Sequence, residues 1–548
     1  RLVGVSRASR HHPKHITRLT NEGINLDMLV ARVLRAPRDL RRAVDTARRS
    51  FAVTSSEVEC RNRVLRKEWE KDRIGFWEKA SHHLNFFKRP TETLNTDNPP
   101  FYKWFPGGKF NACYNCVDVH VENGRGKDKA LIYDSPVTGT SRTFTFKELQ
   151  DEVAATAGML RSLGVEAGDR VVIYMPMIPE AITAMLACAR LGAIHSVVFG
   201  GFAAKELAVR IDDAEPKVVL SASCGIEGKK IVQYKPLLDK AIEISRFKPE
   251  HSVVKQRPES PCSIRDVQKF DEGTLAEWDW DQLIGGSKGT ECVAVDSDAP
   301  LYILYTSGST GQPKGVLRDN AGYCVALKWC MENFMMVSPG EVYWAASDVG
   351  WVVGHSFIVY GPLLHGATTV LYEGKPIGTP DPGAFWRVVE KYQVRSMFTA
   401  PTALRAIRKE DPNGEYSKKH DLSSLKHLFC AGERCDPCTV NHFADRLDVH
   451  FIDNWWQTET GWTVCGMHDT LLGAKPGSAS LPLPGYDVHV LDDHGSEVED
   501  GKSGSLAIKL PLPPGSFINL HNDEKRYQEY FSEFSGYYST GDAGTGML

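Results

Sequence analysis

Residues 301–315 read LYILYTSGSTGQPKG, and the rest of the chain is read outward from them. The run from Leu301 to Tyr305 is short and apolar, with strand character. It breaks into Thr306, Ser307, Gly308, Ser309, Thr310, Gly311, Gln312, Pro313, Lys314 and Gly315. Glycines permit close backbone approach and the positive φ values of a tight loop. Hydroxyls and bare N–H groups donate to phosphate oxygens, and a lysine adds a point charge. A Ser/Gly cluster by itself marks a surface turn. This one is long, directly follows a strand and closes on a lysine, which points to a polyphosphate cradle. It is not the common P-loop, which needs Gly-x4-Gly-Lys-Ser/Thr, because here Pro precedes the lysine and Gly follows it.

Three further motifs lie downstream. A strand-like run over 425–430 ends at Ala431, Gly432, Glu433 and Arg434. Another over 449–452 runs into DNWWQTETG, residues 453–461. Residues 537–542 read YYSTGD. Upstream, YKWFPGGKFNACYNCVDVHV (residues 102–121) holds an aromatic-Pro-Gly-Gly turn with Asn111, Asn115 and Cys116, all read as structural.

Composition narrows the class. With 548 residues, 42% hydrophobic and 24% charged, the chain can bury a large core in two or three packed subdomains. A net charge of −4 gives no footprint for nucleic acid, and no run of about 18 apolar residues offers a membrane span. The 13 cysteines are scattered, which suits a reducing compartment. Cys113–Cys116 and Cys435–Cys438 are lone C-x2-C pairs without a second pair at a zinc spacing. The first fifty residues carry eleven Arg and one Lys against four acids, with Leu29, Val33 and Leu40 at helical spacing. That pattern reads as a mitochondrial presequence, giving the matrix as expected location and the cytoplasm as the alternative.

The phosphate loop, DNWWQTETG and the Tyr-x-x-Gly-Asp element together resemble the acyl-adenylate-forming (AMP-binding) enzymes. Within them the chain is most similar to the short-chain branch, the acetyl- and propionyl-CoA synthetases, from about Trp77 to Asp542. The resemblance implies an α/β fold: two packed α/β subdomains with mainly parallel sheets, plus a small distorted β-barrel. The family's C-terminal α+β lid would follow Asp542, and its lysine is expected to be absent from a chain ending at Leu548. Expected divisions are a basic segment 1–55, an acetyl-CoA synthetase-type segment 56–125, an adenylation domain 126–542 and a tail 543–548.

The implied reaction joins a short carboxylic acid to coenzyme A through an acyl-adenylate, using ATP and Mg²⁺ and releasing pyrophosphate and AMP. Thr306 to Lys314 would cradle the phosphates, with Thr306, Lys314, Trp456 and Glu459 as the catalytic set. Glu459, helped by Thr310, would hold Mg²⁺. Gly432, Glu433 and Arg434, with Asp453, Asn454, Trp455, Trp456, Gln457 and Thr458, would line adenine and α-phosphate. Asp542 would accept from the ribose hydroxyls. Glu227, Gly228, Lys229 and Lys230 would meet coenzyme A, with Glu227 standing where acetate-using members often carry Arg. Trp351, Val352, Val353, Ala431 and Trp456 would bound the acyl pocket. Ala431, in place of Val, opens room for about one methylene, worth roughly 0.8 kcal/mol, and favours propionate over acetate and butyrate. A variant that binds ATP or acyl-adenylate without efficient turnover is the alternative, and a monomer or weak homo-oligomer is expected.

Period and turn signals predict strands over 130–135, 171–174, 197–199, 218–221, 368–372 and 396–399. Helices are expected over 58–79, 144–163, 179–191, 321–334, 385–392 and 402–409. Thr145 with Glu148 reads as a capping box and Pro179 as a first-turn proline. Strand–helix–strand alternation implies parallel sheets with right-handed crossovers. Residues 246–296 read as a loop-rich excursion, and 488–491 with 505–509 as antiparallel strands.

Overall fold

In the computed structural model, two eight-stranded sheets carry the fold, and the strand ahead of the phosphate loop lies inside the first of them. The structure describes residues 61–265, 275–306, 313–466 and 475–546. The basic segment 1–55, the loop residues Ser307, Gly308, Ser309, Thr310 and Gly311, and the last two residues lie outside the described part.

The first sheet runs Ala276–Asp279, His251–Lys255, Val218–Ala222, Arg170–Tyr174, Ile194–Val197, Pro300–Thr306, Lys314–Asp319, Asn519–Leu520. It is parallel as far as Pro300–Thr306 and antiparallel beyond. The second runs Cys465–Gly466, His450–Trp455, His427–Cys430, Val394–Thr399, Val342–Ala345, Thr368–Tyr372, Lys129–Ser135, Thr140–Thr145, antiparallel only at its two outer pairings. Val218–Ala222 and Thr368–Tyr372 are buried at every position, as parallel strands covered on both faces must be. A third, antiparallel sheet joins Val488–Leu491, Ser503–Lys509 and Tyr537–Thr545.

Local signals placed most helices well. Phe146–Ser162 starts with both halves of the Thr145–Glu148 capping box made, and Pro179–Leu191 opens on its proline and stops at Gly192 in the left-handed region. Phe144 and Thr145, expected as helix, end the strand Thr140–Thr145 instead. The expected helix over 58–79 is two helices, Arg61–Lys71 and Arg73–Ser81, because Asp72 caps the second by accepting from Gly75 N.

Two expectations are corrected. The strand placed at 197–199 is Ile194–Val197. Its buried His195 is polar but bonds the Tyr360 hydroxyl at 2.7 Å, so a purely apolar pattern starts too late. Among the described residues the stretch 246–296 is loop-rich as expected, but it holds two sheet strands that the reading missed. His251–Lys255 and Ala276–Asp279 extend the first sheet, and Trp280–Gly286 is helical. Buried Glu277 disguised the edge strand, its charge met by Lys235 Nζ at 3.0 Å.

The segment ahead of the first sheet braces the back of the site. Trp77 is buried edge-on against Trp462, with ring centroids 5.8 Å apart, and Trp329 packs on both. Trp462 directly follows Gly461, whose φ is +78° and whose added Cβ would lie 2.3 Å from Gly515 O, so only glycine fits.

Candidate active site

All three sheets send residues to one corner. Pro300–Thr306 and Lys314–Asp319 form an antiparallel pair whose far end, Thr306 opposite Lys314, flanks the phosphate-loop stretch. Lys314 Nζ lies 2.6 Å from Glu459 Oε1, which belongs to the turn after the second sheet's strand His450–Trp455. The Tyr530 hydroxyl donates to Glu459 Oε1 at 3.0 Å and also meets Lys314 Nζ. The Thr306 hydroxyl is buried with no hydrogen-bond partner among the described residues.

The third sheet closes the corner. Asp542 Oδ2 accepts from Trp455 Nε1 at 3.1 Å and from Gln457 Nε2 at 2.7 Å. Gln457 also donates to Thr540 O and accepts from the Tyr538 hydroxyl, both at 2.8 Å. Asp542 itself is exposed, so its carboxylate is aimed and still reachable. Behind, Arg318 is fully buried and donates to Glu459 O at 2.9 Å and to Thr458 O, fixing the backbone that carries Glu459.

On the second sheet, Asn454 donates to Cys430 O at 3.0 Å and so ties two strand ends together. Burial raises the Asp453 carboxyl to about 6. Gly432, Glu433 and Arg434 are exposed on the adjacent turn, held from below by Arg405, which pairs with Glu433 at 3.1 Å and donates to Arg434 O at 2.7 Å.

The acyl and thiol residues are dispersed. Trp456 is buried edge-on against Phe357 and Phe398, and Ala431 is buried too. Trp351 is 46% exposed and packs on Phe199 and Phe202. The two tryptophans make no ring contact with each other. Trp351 is the N-cap of one helical segment, in which Val352–Gly354 passes into the π-helix His355–Tyr360 that presents Phe357 to Trp456. Val352 and Val353 are half-buried on its first turn.

The expected coenzyme A loop is a β-hairpin, Cys224–Glu227 against Lys230–Gln233, with Gly228 and Lys229 at its tip. Glu227, Lys229 and Lys230 are exposed, and neither lysine makes an ion pair among the described residues. A cleft of about 220 Å³ runs from Glu227 and Gly228 past Tyr234, Asp348 and Lys375 to Phe199, the ring against Trp351. Of the expected site residues it takes in only Glu227 and Gly228.

Sequence reading missed Tyr530 and Arg318. Neither stands in a motif, and their partners lie 71 and 141 residues away.

Residues 119–512 match the AMP-binding enzyme family, and residues 63–116 match the acetyl-coenzyme A synthetase N-terminus. The human mitochondrial acyl-CoA synthetase short-chain family member 3 is 49% identical over 473 residues, covering 86% of this chain and 68% of that protein. The propionate–CoA ligase of Escherichia coli is 45% identical over 466 residues, covering 84% of this chain and 72% of that protein. The solved acetoacetyl-CoA synthetase from Streptomyces lividans superposes with a TM-score of 0.76 at 24% identity, over 87% of this chain and 72% of that one, and shares the adenylate-forming fold. The paired Lys314 and Glu459, the aimed Asp542 and these matches agree: the chain belongs to the AMP-binding enzyme family, in its short-chain acyl-CoA synthetase branch.

Proposed function

We propose that the protein activates a short-chain carboxylic acid, propionate ahead of acetate and butyrate, and passes the acyl group to coenzyme A. The observation that carries this reading is the corner where Lys314, Glu459 and Tyr530 interlock beside the aimed carboxylate of Asp542. A carboxylate oxygen of the acid attacks the α-phosphorus of ATP and pyrophosphate leaves. The thiol sulfur of coenzyme A then attacks the acyl carbonyl and AMP leaves. Positioning and charge stabilisation at phosphorus are the protein's share.

In this reading Thr306, Lys314 and the intervening loop hold the β- and γ-phosphates. Lys314 exchanges its Glu459 partner for phosphate oxygen as nucleotide enters. A divalent cation fits the same place: Glu459 offers a buried hard oxygen and the Thr306 hydroxyl lacks a partner among the described residues. Magnesium bound there would neutralise phosphate charge, with Thr310 as the further ligand expected from sequence. Asp542 takes the ribose hydroxyls. Residues 432–434 and 453–458 take adenine and the α-phosphate. Trp456, Ala431, Val352, Val353 and Trp351 bound the acid. The hairpin lysines Lys229 and Lys230 meet the phosphates of coenzyme A, and the cleft beside them receives its extended arm. The Arg-rich first fifty residues and the mitochondrial relatives support a matrix location.

Initial rates of pyrophosphate release with ATP, Mg²⁺ and equal concentrations of the three acids test the proposal. Propionate is expected to lead. Acetate winning clearly would defeat the Ala431 argument. Nucleotide binding without pyrophosphate release would defeat the synthetase reading and favour a nucleotide-holding protein.

A further inference from the structure

Away from the active corner, two thiols that are distant in sequence meet in a polar pocket. Cys113, Asp118 and Cys292 place their sulfur and oxygen atoms within 4.8 Å of one another. Cys113 is fully buried, whereas Cys292 is half-buried. The Arg190 guanidinium lies beside Cys113: it donates to Asp118 Oδ2 at 2.7 Å and Oδ1 at 3.0 Å, and its Nη1 is 3.8 Å from Cys113 Sγ. The Cys292 thiol faces Asp118 Oδ2 at 3.6 Å.

A metal ion does not suit this place. Both Asp118 oxygens already accept from Arg190, and Oδ1 also accepts from Gln150 at 2.8 Å. A fixed guanidinium cation would sit against any bound cation. Chemistry between the sulfurs themselves suits it better. The gap to close, down to about 2.05 Å between sulfurs, is at most about 3 Å.

We propose that Cys113 and Cys292 form a reversible disulfide when the protein meets a peroxide. The peroxide oxidises one of the two thiols, taken as that of the half-buried Cys292, to a sulfenic acid and is itself reduced to water. The Cys113 sulfur then attacks the Cys292 sulfur, the S–S bond forms, and the hydroxyl leaves as a second water with the Cys113 proton. Two thiols and one hydrogen peroxide thus give one disulfide and two waters.

The bond would join two segments already stitched together. Asn111 donates to Val293 O at 2.9 Å and to Ala189 O at 2.8 Å, and Arg190 Nε donates to Thr290 O at 2.5 Å. The Cys292 segment leads through Val295–Asp296 into Pro300–Thr306, the strand that ends at the phosphate loop. The cross-link would therefore clamp the root of that strand to the N-terminal segment. The C-x2-C neighbour Cys116 is turned elsewhere, its sulfur 3.9 Å from Tyr360 O.

The test is a peptide map of the full chain, without reductant, after graded hydrogen peroxide and again after dithiothreitol. The expected result is one cross-linked peptide pair joining Cys113 to Cys292, two hydrogens lighter than the separate peptides and restored by dithiothreitol. It should be missing in Cys113→Ser and in Cys292→Ser. The oxidised wild type should also unfold at a higher temperature than identically treated Cys292→Ser. A Cys113–Cys116 cross-link, over-oxidation of Cys292 without a cross-link, or no change at either cysteine would overturn the proposal. Protection of both thiols by zinc alone would overturn it too, in favour of a metal site. Circular dichroism of the serine variants separates misfolding from lost chemistry, and the wild-type map stands independently of both variants.

Discussion

At the corner proposed for nucleotide, Lys314, Glu459 and Tyr530 interlock, and Gln457 and Asp542 pair beside them. Across the molecule, Lys229 and Lys230 stand on an exposed hairpin tip, and Trp351 is nearly half exposed against two phenylalanines. Each charged group of the corner already has a partner, which in the proposed function a phosphate, cation or ribose replaces. The hairpin proposed for coenzyme A is exposed, and its two lysines make no ion pair among the described residues. This contrast suits a two-step reaction. Groups aimed at developing charge must be preorganised, while a second substrate that arrives later needs an accessible landing surface.

If the contrast holds, changes at the corner cost most. Glu459→Gln removes the charge partner of Lys314 and the hard oxygen for a cation. Pyrophosphate release at saturating ATP should fall about 10²–10³-fold, and a fall smaller than tenfold would break the comparison. Next comes the root of the Lys314 strand. Asp319 is buried and caps the following helix by accepting from Gly322 N and Tyr323 N, and burial raises its carboxyl from 3.8 to about 7. The folded state therefore binds this proton more tightly than the unfolded chain. The resulting stability is fully present below about pH 4 and lost as pH rises through 7. Asp319→Asn should flatten that decline by up to about 4 kcal/mol, read from denaturant midpoints across the range.

A smaller effect is expected on the open side. Changing Lys229 and Lys230 together to Ala should raise the KM for coenzyme A about tenfold, close to 1.4 kcal/mol. Pyrophosphate release in the absence of coenzyme A should not change. An equal loss in both assays would mean that the hairpin and the corner are not separate. The smallest effect belongs to Ala431→Val, which should lower the propionate-to-acetate ratio of kcat/KM about fourfold, as expected for one methylene.

Much of the corner was legible in the sequence because its parts lie in short motifs. Residues 453–459 and the Tyr-x-x-Gly-Asp element each place several groups a few residues apart, and a strand end fixes their direction. The acyl pocket was less legible. Trp351 and Trp456 were expected to share one pocket; Trp351 packs on Phe199 and Phe202 and caps the helical segment whose π-turn sets where Phe357 meets Trp456. The wide turn leaves no mark in the residue pattern.

The sequence alone determined the strand–helix rhythm, the capping box at Thr145, the proline start at Pro179, and the motif pair that names the chemistry. Each depends on neighbours within a few positions. Tertiary structure decided that Arg318 and Tyr530 serve Glu459, that Lys235 makes Glu277 tolerable in a strand, and that Cys113 faces Cys292 rather than Cys116. The physical reason is that a buried charge or thiol takes its partner from whatever the folded chain brings beside it. Arg318 reaches across 141 positions to Glu459, and no local pattern encodes that distance.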